Sequence, residues 1–177
     1  MNKTLHVDEY ELKYRTKTMK TIQITDEAEI TAIINKCPFC MLGLTDLEGN
    51  PYVIPMNFVY DGKTIYLHSG AGGGKETLAT AHPQVCITFC EGDELVYMHQ
   101  QIACSYSMKS RSVVCRGRVE FIDDYDEKER ILQLLMRRYT DNDCRMAPPA
   151  IRNVRVWAVK VDELSCRSFG LRPSELK

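Results

Sequence analysis

The chain has 177 residues, 44% hydrophobic and 27% charged, and 23 Lys and Arg against 24 Asp and Glu leave a formal net charge of -1. That is enough for one domain with its own core, neither a disordered tail nor a fibre. The balanced charge excludes the electrostatic footprint of a general nucleic-acid binder, no uncharged apolar run approaches the ~18 residues that span a bilayer, and the charged start lacks a signal-peptide core, so a soluble, cytoplasmic protein without a membrane partner is expected.

Residues 1-24 read as a polar leader lying over the surface or against a partner. Asp26 with Glu29 is a capping-box pattern opening a short helix, with Ile30, Ile33 and Ile34 on its apolar side, and the helix should stop near Cys37-Pro38. From Phe39 the texture is that of strands. Phe39 to Leu44 is followed by the turn Thr45 to Asn50, a second run from Pro51 to Tyr60, the two-residue hairpin signal Asp61-Gly62, and a third strand from Thr64 to His68. Three strands joined this way form an antiparallel meander. A Gly-rich loop, a short helix from Lys75 to Ala81 and a strand from Gln84 to Phe89 come next, then strand candidates Leu95 to Gln101 and Ser112 to Ile122.

Asp124 with Glu127 is a second capping box, and Ile131, Leu132, Leu135, Met136 and Tyr139 make the stripe of an amphipathic helix. Pro148-Pro149 breaks the chain, and Val154 to Val161 alternates like a last strand. Six or seven strands with tight turns and a few short helices are expected to make a small closed or partly closed β-barrel over residues 25-165, with 166-177 as a tail.

Cys37-Pro38-Phe39-Cys40 has the spacing that lowers a thiol pKa when the first Cys caps a helix after a strand. Here a helix precedes the motif and a strand follows, so packed thiols compete with redox chemistry. Zinc would need a second pair at ligand spacing, and Cys86 and Cys90 sit too far apart on one strand to chelate one ion, so no metal is expected. Among the histidines, His6 reads as solvated, His82 as a helix-end cation, and His99 carries no motif.

The stretch from Ile65 to Glu76 is the most informative. A strand ends, the backbone turns through Gly70, Gly72, Gly73 and Gly74, and a helix begins at Lys75. Peptide N–H groups and a helix N-terminus form an anion seat, to which Lys75 adds a charge and Ser69 and His68 add donors. Glu76 stands where a Walker motif needs Ser or Thr, which points to a terminal phosphate rather than a nucleoside triphosphate with magnesium. A flexible hairpin loop is the alternative.

Three segments resemble the flavin-binding split-barrel superfamily of pyridoxamine 5'-phosphate oxidase-like proteins: Leu42-Gly43-Leu44 with Asp46 and Gly49, Pro51 to Tyr60, and Ile65 to Lys75. His68-Ser69 with Gly74-Lys75, then His82-Pro83-Gln84-Val85-Cys86, is most similar to the Nim-type 5-nitroimidazole-resistance proteins, and Ser112-Val113-Val114 with Gly117 also matches. The resemblance implies a mainly β fold with short helices, a six-stranded antiparallel split β-barrel, as a homodimer with FMN at the interface. It implies that Pro55, Met56 and Asn57 run along the flavin ring, that His68, Ser69 and Lys75 face the ribityl phosphate and the ring's approach, and that His68 marks the reaction site. Ser112 and Val113 are implied to line the pocket from the partner subunit, and Trp157 either to cover the flavin or to be core.

Lys109, Ser110 and Arg111 stand where the family pattern has an aromatic residue, and their basic charge is a candidate contact for phosphate or for the larger FAD. The implied activity is flavin-dependent reduction of a nitroaromatic or another small electron acceptor, with NAD(P)H as donor. The alternatives are a flavin-binding or flavin-storage module without turnover, a pyridoxamine-phosphate oxidase, and a thiol or zinc protein.

Overall fold

The computed structural model describes residues 19-175; the start of the leader, including His6, lies outside them. Among the described residues eight strands form one antiparallel sheet. They are β1 (Lys20–Ile24), β2 (Cys40–Thr45), β3 (Pro51–Met56), β4 (Phe58–Tyr60), β5 (Thr64–Gly70), β6 (Gln84–Tyr97), β7 (Tyr106–Ile122) and β8 (Val154–Leu171). Four α-helices accompany them: α1 (Glu27–Lys36), α2 (Gly74–Ala81), α3 (Tyr125–Tyr139) and α4 (Pro148–Asn153).

The hydrogen-bonded path runs β3-β2-β6-β7-β8-β5-β4, with β1 added on β8. Its two ends, β3 and β4, are consecutive stretches of chain separated only by Asn57. The sheet is therefore joined at its ends by the backbone and not by a ladder, which is how the barrel is split. The expected meander is corrected here: the run Pro51 to Tyr60 pairs first with β2 and then, past Asn57, with β5.

The sheet has eight strands where six were expected, and it differs in three further ways. Leader residues 20-24 pair with the far end of β8, which runs past residue 165 to Leu171. The runs expected at 84-89 and 95-101 merge into β6, whose register shifts at a bulge between Glu91 and Glu94; residues 98-101 then lie outside any strand. β7 begins at Tyr106, ahead of Ser112. Pro148 and Pro149 open α4 rather than merely breaking the chain, because proline suits the first helical turn, whose N–H groups lack helical acceptors.

Both helix starts carry the expected caps: Asp26 Oδ1 accepts from Glu29 N–H at 2.7 Å and Asp124 Oδ1 from Glu127 N–H at 2.9 Å. The main core lies inside the barrel, where Ile30, Ile33 and Ile34 of α1 meet Leu42, Phe58, Leu67, Phe89, Val113 and Trp157. A second cluster lies on the opposite face of β5 and β8, under α3 and α4, with Ile131, Leu132, Leu135, Ile151 and Val156. Each such side chain contributes about 1.5–3 kcal/mol on burial. Among the described residues no helix is long and apolar enough to cross a membrane.

Candidate functional site

β5 alternates between the two cores. Ile65, Leu67 and Ser69 are buried toward the barrel interior, while Tyr66 and His68 face the side covered by α3 and α4. The two residues expected to act together therefore leave the strand in opposite directions. Ser69 Oγ accepts from the indole Nε1–H of Trp157 at 3.1 Å and donates to the Gly70 carbonyl. His68 is half-buried, its Nδ1 is closed off from water with no hydrogen-bond partner, and burial first, then the nearby Lys75 charge, hold its pKa below 6.5. It is an uncharged imidazole at neutral pH.

β5 runs into the glycine loop and α2. Gly73 is the N-cap and has no side chain to offer the first turn of the helix. Gly72, at φ +72°, donates its N–H to Glu76 Oε2 at 2.8 Å. Glu76 Oε1 in turn pairs with Arg155 at 2.7 Å, and Arg155 with Asp123 at 2.6 Å. The Gly72 N–H, followed by Arg155, holds the Glu76 carboxyl below its ordinary range. One donor of the expected anion seat is thus taken by the chain's own carboxylate, while Lys75 makes no ion pair among the described residues.

Residues 26–168 match the family model described as pyridoxamine 5'-phosphate oxidase. The chain belongs to the pyridoxamine 5'-phosphate oxidase-like family. A Bacteroides thetaiotaomicron protein, provisionally named a 5-nitroimidazole antibiotic resistance protein, is 52% identical with a TM-score of 0.78, over 87% of this chain and 90% of that one. The flavocytochrome Anf3 from Azotobacter vinelandii aligns at TM-score 0.75 and 24% identity over 85% of this chain and 71% of that one. The FAD and heme binding protein from Mycobacterium smegmatis aligns at 0.76 and 18% identity over 85% and 75%. The last two share the fold alone. No curated protein matches the chain.

The residues that family membership brings forward fall into two groups. Pro55 and Asn57 are exposed on the run that crosses the split, and His68, Lys75, Arg111 and Ser112 are partly exposed. Met56, Ser69, Val113 and Trp157 are buried. Trp157 is 0% exposed, edge-on to Phe121 at 5.2 Å, and its indole N–H is satisfied by Ser69. Of its two expected placements it takes the core one, and a cofactor face on it is withdrawn. Val113 is likewise 0% exposed, so its side chain lines the barrel core and not a pocket.

The basic stretch before Ser112 is also corrected. Arg111 pairs with Glu91 and, at 3.3 Å, with Glu29, while Lys109 pairs with Glu175 at 2.6 Å. Both charges are met by the chain's own carboxylates and are not held out for a phosphate.

Two features escape the sequence reading. Tyr139 closes its hydroxyl on Phe58, accepting from the N–H at 3.0 Å and donating to the carbonyl at 3.2 Å, at the end of the sheet next to Asn57. The Glu76–Arg155 pair fixes the glycine loop. An acid in the first turn of a helix was a readable signal for Glu76; nothing local marks Tyr139 as other than stripe.

Four of the eight thiols, Cys37, Cys40, Cys115 and Cys166, are buried in the core. Cys37 and Cys40 are buried, burial raises both, and Cys40 is pushed up to about 12, as is Cys115. Burial thus opposes the thiolate that the redox chemistry of this spacing needs. Among the described residues no three His, Cys, Asp or Glu side chains gather at metal-binding distance.

Proposed function

We propose that the protein is a flavin-dependent reductase of nitroaromatic compounds of the 5-nitroimidazole kind, or of similar small electron acceptors. In this reading it works as a homodimer with FMN between the barrels and NAD(P)H as electron donor. The observation that carries it is His68: an uncharged imidazole with a dry, unpartnered Nδ1, set beside the cation of Lys75 where β5 enters the glycine loop. The 52% identity to the Bacteroides protein supports the substrate class.

The residues present fit a phosphate-bearing cofactor. Lys75 makes no ion pair among the described residues, and the first turn of α2 is free of side-chain caps. These two would hold the phosphate by charge and N–H donation. When bound, a flavin supplies hydride acceptance and electron delivery. The chain's part is binding and orientation. With Nδ1 enclosed, Nε2 is the ring nitrogen of His68 left to meet an acceptor, which it would orient by a hydrogen bond.

A second copy is supported by the outer face of β2, β3 and β6. There Met41 and Val53 are exposed beside a groove of about 480 Å³ shared with Gly43, Cys86, Thr88 and Arg116.

The test is anaerobic. Purified protein should be yellow, be bleached by NADH or NADPH, and regain its colour on adding a 5-nitroimidazole; His68→Gln should keep the colour and lose the turnover. Colour without bleaching would assign a flavin-storage role instead. A colourless protein that takes up no added FMN overturns the proposal.

A further inference from the structure

We propose that the cavity between α3, α4 and β8 is a binding site for a phosphate dianion, separate from the seat at Lys75. The cavity holds about 330 Å³ and is lined by Ala71, Asp123, Tyr125, Lys128, Arg152 and Arg155 among others. Three cationic side chains therefore converge, Lys128 from α3 and Arg152 and Arg155 from either side of the junction between α4 and β8. Like charges do not gather in one concave space without a cost, and an anion that matches them removes it.

The local charges do not cancel. Arg155 is the partner of both nearby carboxylates, Asp123 at 2.6 Å and Glu76 at 2.7 Å. Lys128 and Arg152 have no carboxylate partner among the described residues. Three cations against two carboxylates leave one net positive charge, and the two cations without a carboxylate, Lys128 and Arg152, supply the donors an oxyanion needs.

Lys128 is the more telling of the two. It is only 7% exposed, and its ammonium gives one hydrogen bond, to the Arg152 carbonyl at 3.2 Å. An ammonium has three donors, so two are left for a ligand. A lysine this buried and without a carboxylate is uncommon, because the ion has given up water for little in return. Arg155 adds an Nε–H that is buried and has no acceptor. Arg152 lies over the Tyr125 ring at 5.8 Å, a contact that restrains the guanidinium without using its donors.

Phosphate suits these groups better than a carboxylate does. It carries close to two charges at neutral pH and several acceptor oxygens, and guanidinium groups pair with it along two N–H bonds. The dianion has two sources: free orthophosphate, or a phosphomonoester such as the 2'-phosphate that separates NADPH from NADH.

The experiment is isothermal titration of the full chain with inorganic phosphate and, separately, with adenosine 2'-phosphate. Saturable binding is expected, weakened about tenfold or more by Arg152→Ala, since charge-assisted contacts are the strong ones. Lys128→Gln should do the same in protein whose circular dichroism is unchanged, whereas Lys75→Ala should leave this binding as it was. Tighter binding of the nucleotide than of phosphate would identify a nucleotide phosphate as the ligand; equal binding would identify orthophosphate. No saturable heat, or full affinity in folded Arg152→Ala, overturns the site. If Lys75→Ala alone abolishes binding, the anion belongs at α2 and the flavin reading stands without this one.

Discussion

Tyr139→Phe isolates the contact that closes the sheet at its split. Phe58 heads β4, the end strand of the hydrogen-bonded path, and its backbone on that side meets no neighbouring strand. The Tyr139 hydroxyl substitutes for one, taking the N–H at 3.0 Å and serving the carbonyl at 3.2 Å. The substitution removes one oxygen and keeps the ring, so the Arg138 guanidinium keeps its place 5.5 Å from the ring and 4.0 Å from that of Phe58. Phe58 is 0% exposed, but Tyr139 is 41% exposed, so water can reach part of the gap. Losing the two bonds should cost about 1–2 kcal/mol, at the low end of the range for unsatisfied buried groups. For a chain of this size that lowers Tm by about 2–8 °C.

Urea unfolding at fixed protein concentration should show a lower midpoint with an unchanged slope. Tyr106→Phe is the control: its hydroxyl serves the Gln100 carbonyl on an exposed turn and should matter by less than about 0.5 kcal/mol. A Tyr139→Phe midpoint as close to wild type as that of the control would refute the idea that this hydroxyl closes the edge.

Gly117→Ala should cost about 3 kcal/mol and impair soluble expression, since a Cβ there would overlap the Lys160 carbonyl and meet Val159 Cγ1 at 3.0 Å; thermal unfolding of the purified variant checks it. Alkylation of the native protein should modify exposed Cys90 and Cys104 long before Cys40, whose thiol is held near 12, and equal rates by mass spectrometry would contradict that burial. Because the folded pKa of His68 lies below its ordinary 6.5, the unfolded chain binds the extra proton first. Stability should be full above pH 6.5 and fall as pH drops through the folded value, a slope that His68→Gln should lessen in urea midpoints taken across that range. Lys75→Ala should weaken FMN binding by about ten- to a hundredfold, the worth of a charge-assisted contact, and an unchanged flavin titration would remove Lys75 from the site.

What could be read from the sequence was what short-range chemistry decides. Asp26 and Asp124 cap their helices because an acceptor three residues ahead of an N–H needs nothing else. The Asp61-Gly62 hairpin formed for the same reason, Asp61 Oδ1 taking the N–H groups of Lys63 and Thr64. What stayed hidden depends on distant partners. Residues 20-24 are a strand because the end of β8 offers them an edge. Arg111 looked like a free cation until Glu29, 82 residues away, came beside it. Trp157 left two placements open because its answer, Ser69, is 88 residues away. One signal was available and unused: His68 and Ser69 are adjacent on a strand, and a period of two sends neighbours to opposite faces.

Glu76 links these observations. Its carboxylate turns back to the Gly72 N–H and across to Arg155, and so leaves its neighbour Lys75 without a counterion among the described residues. The same contacts fix the loop, which a run of glycines would otherwise leave loose. An unneutralised Lys75 is one of the two influences that keep His68 uncharged, burial being the larger. An anion bound at Lys75 would weaken that repulsion and raise the affinity of His68 for a proton. If the start of α2 takes the proposed phosphate, its binding and proton uptake on β5 would be coupled through Lys75, so FMN titrations buffered at two pH values should show a proton taken up on binding that His68→Gln abolishes.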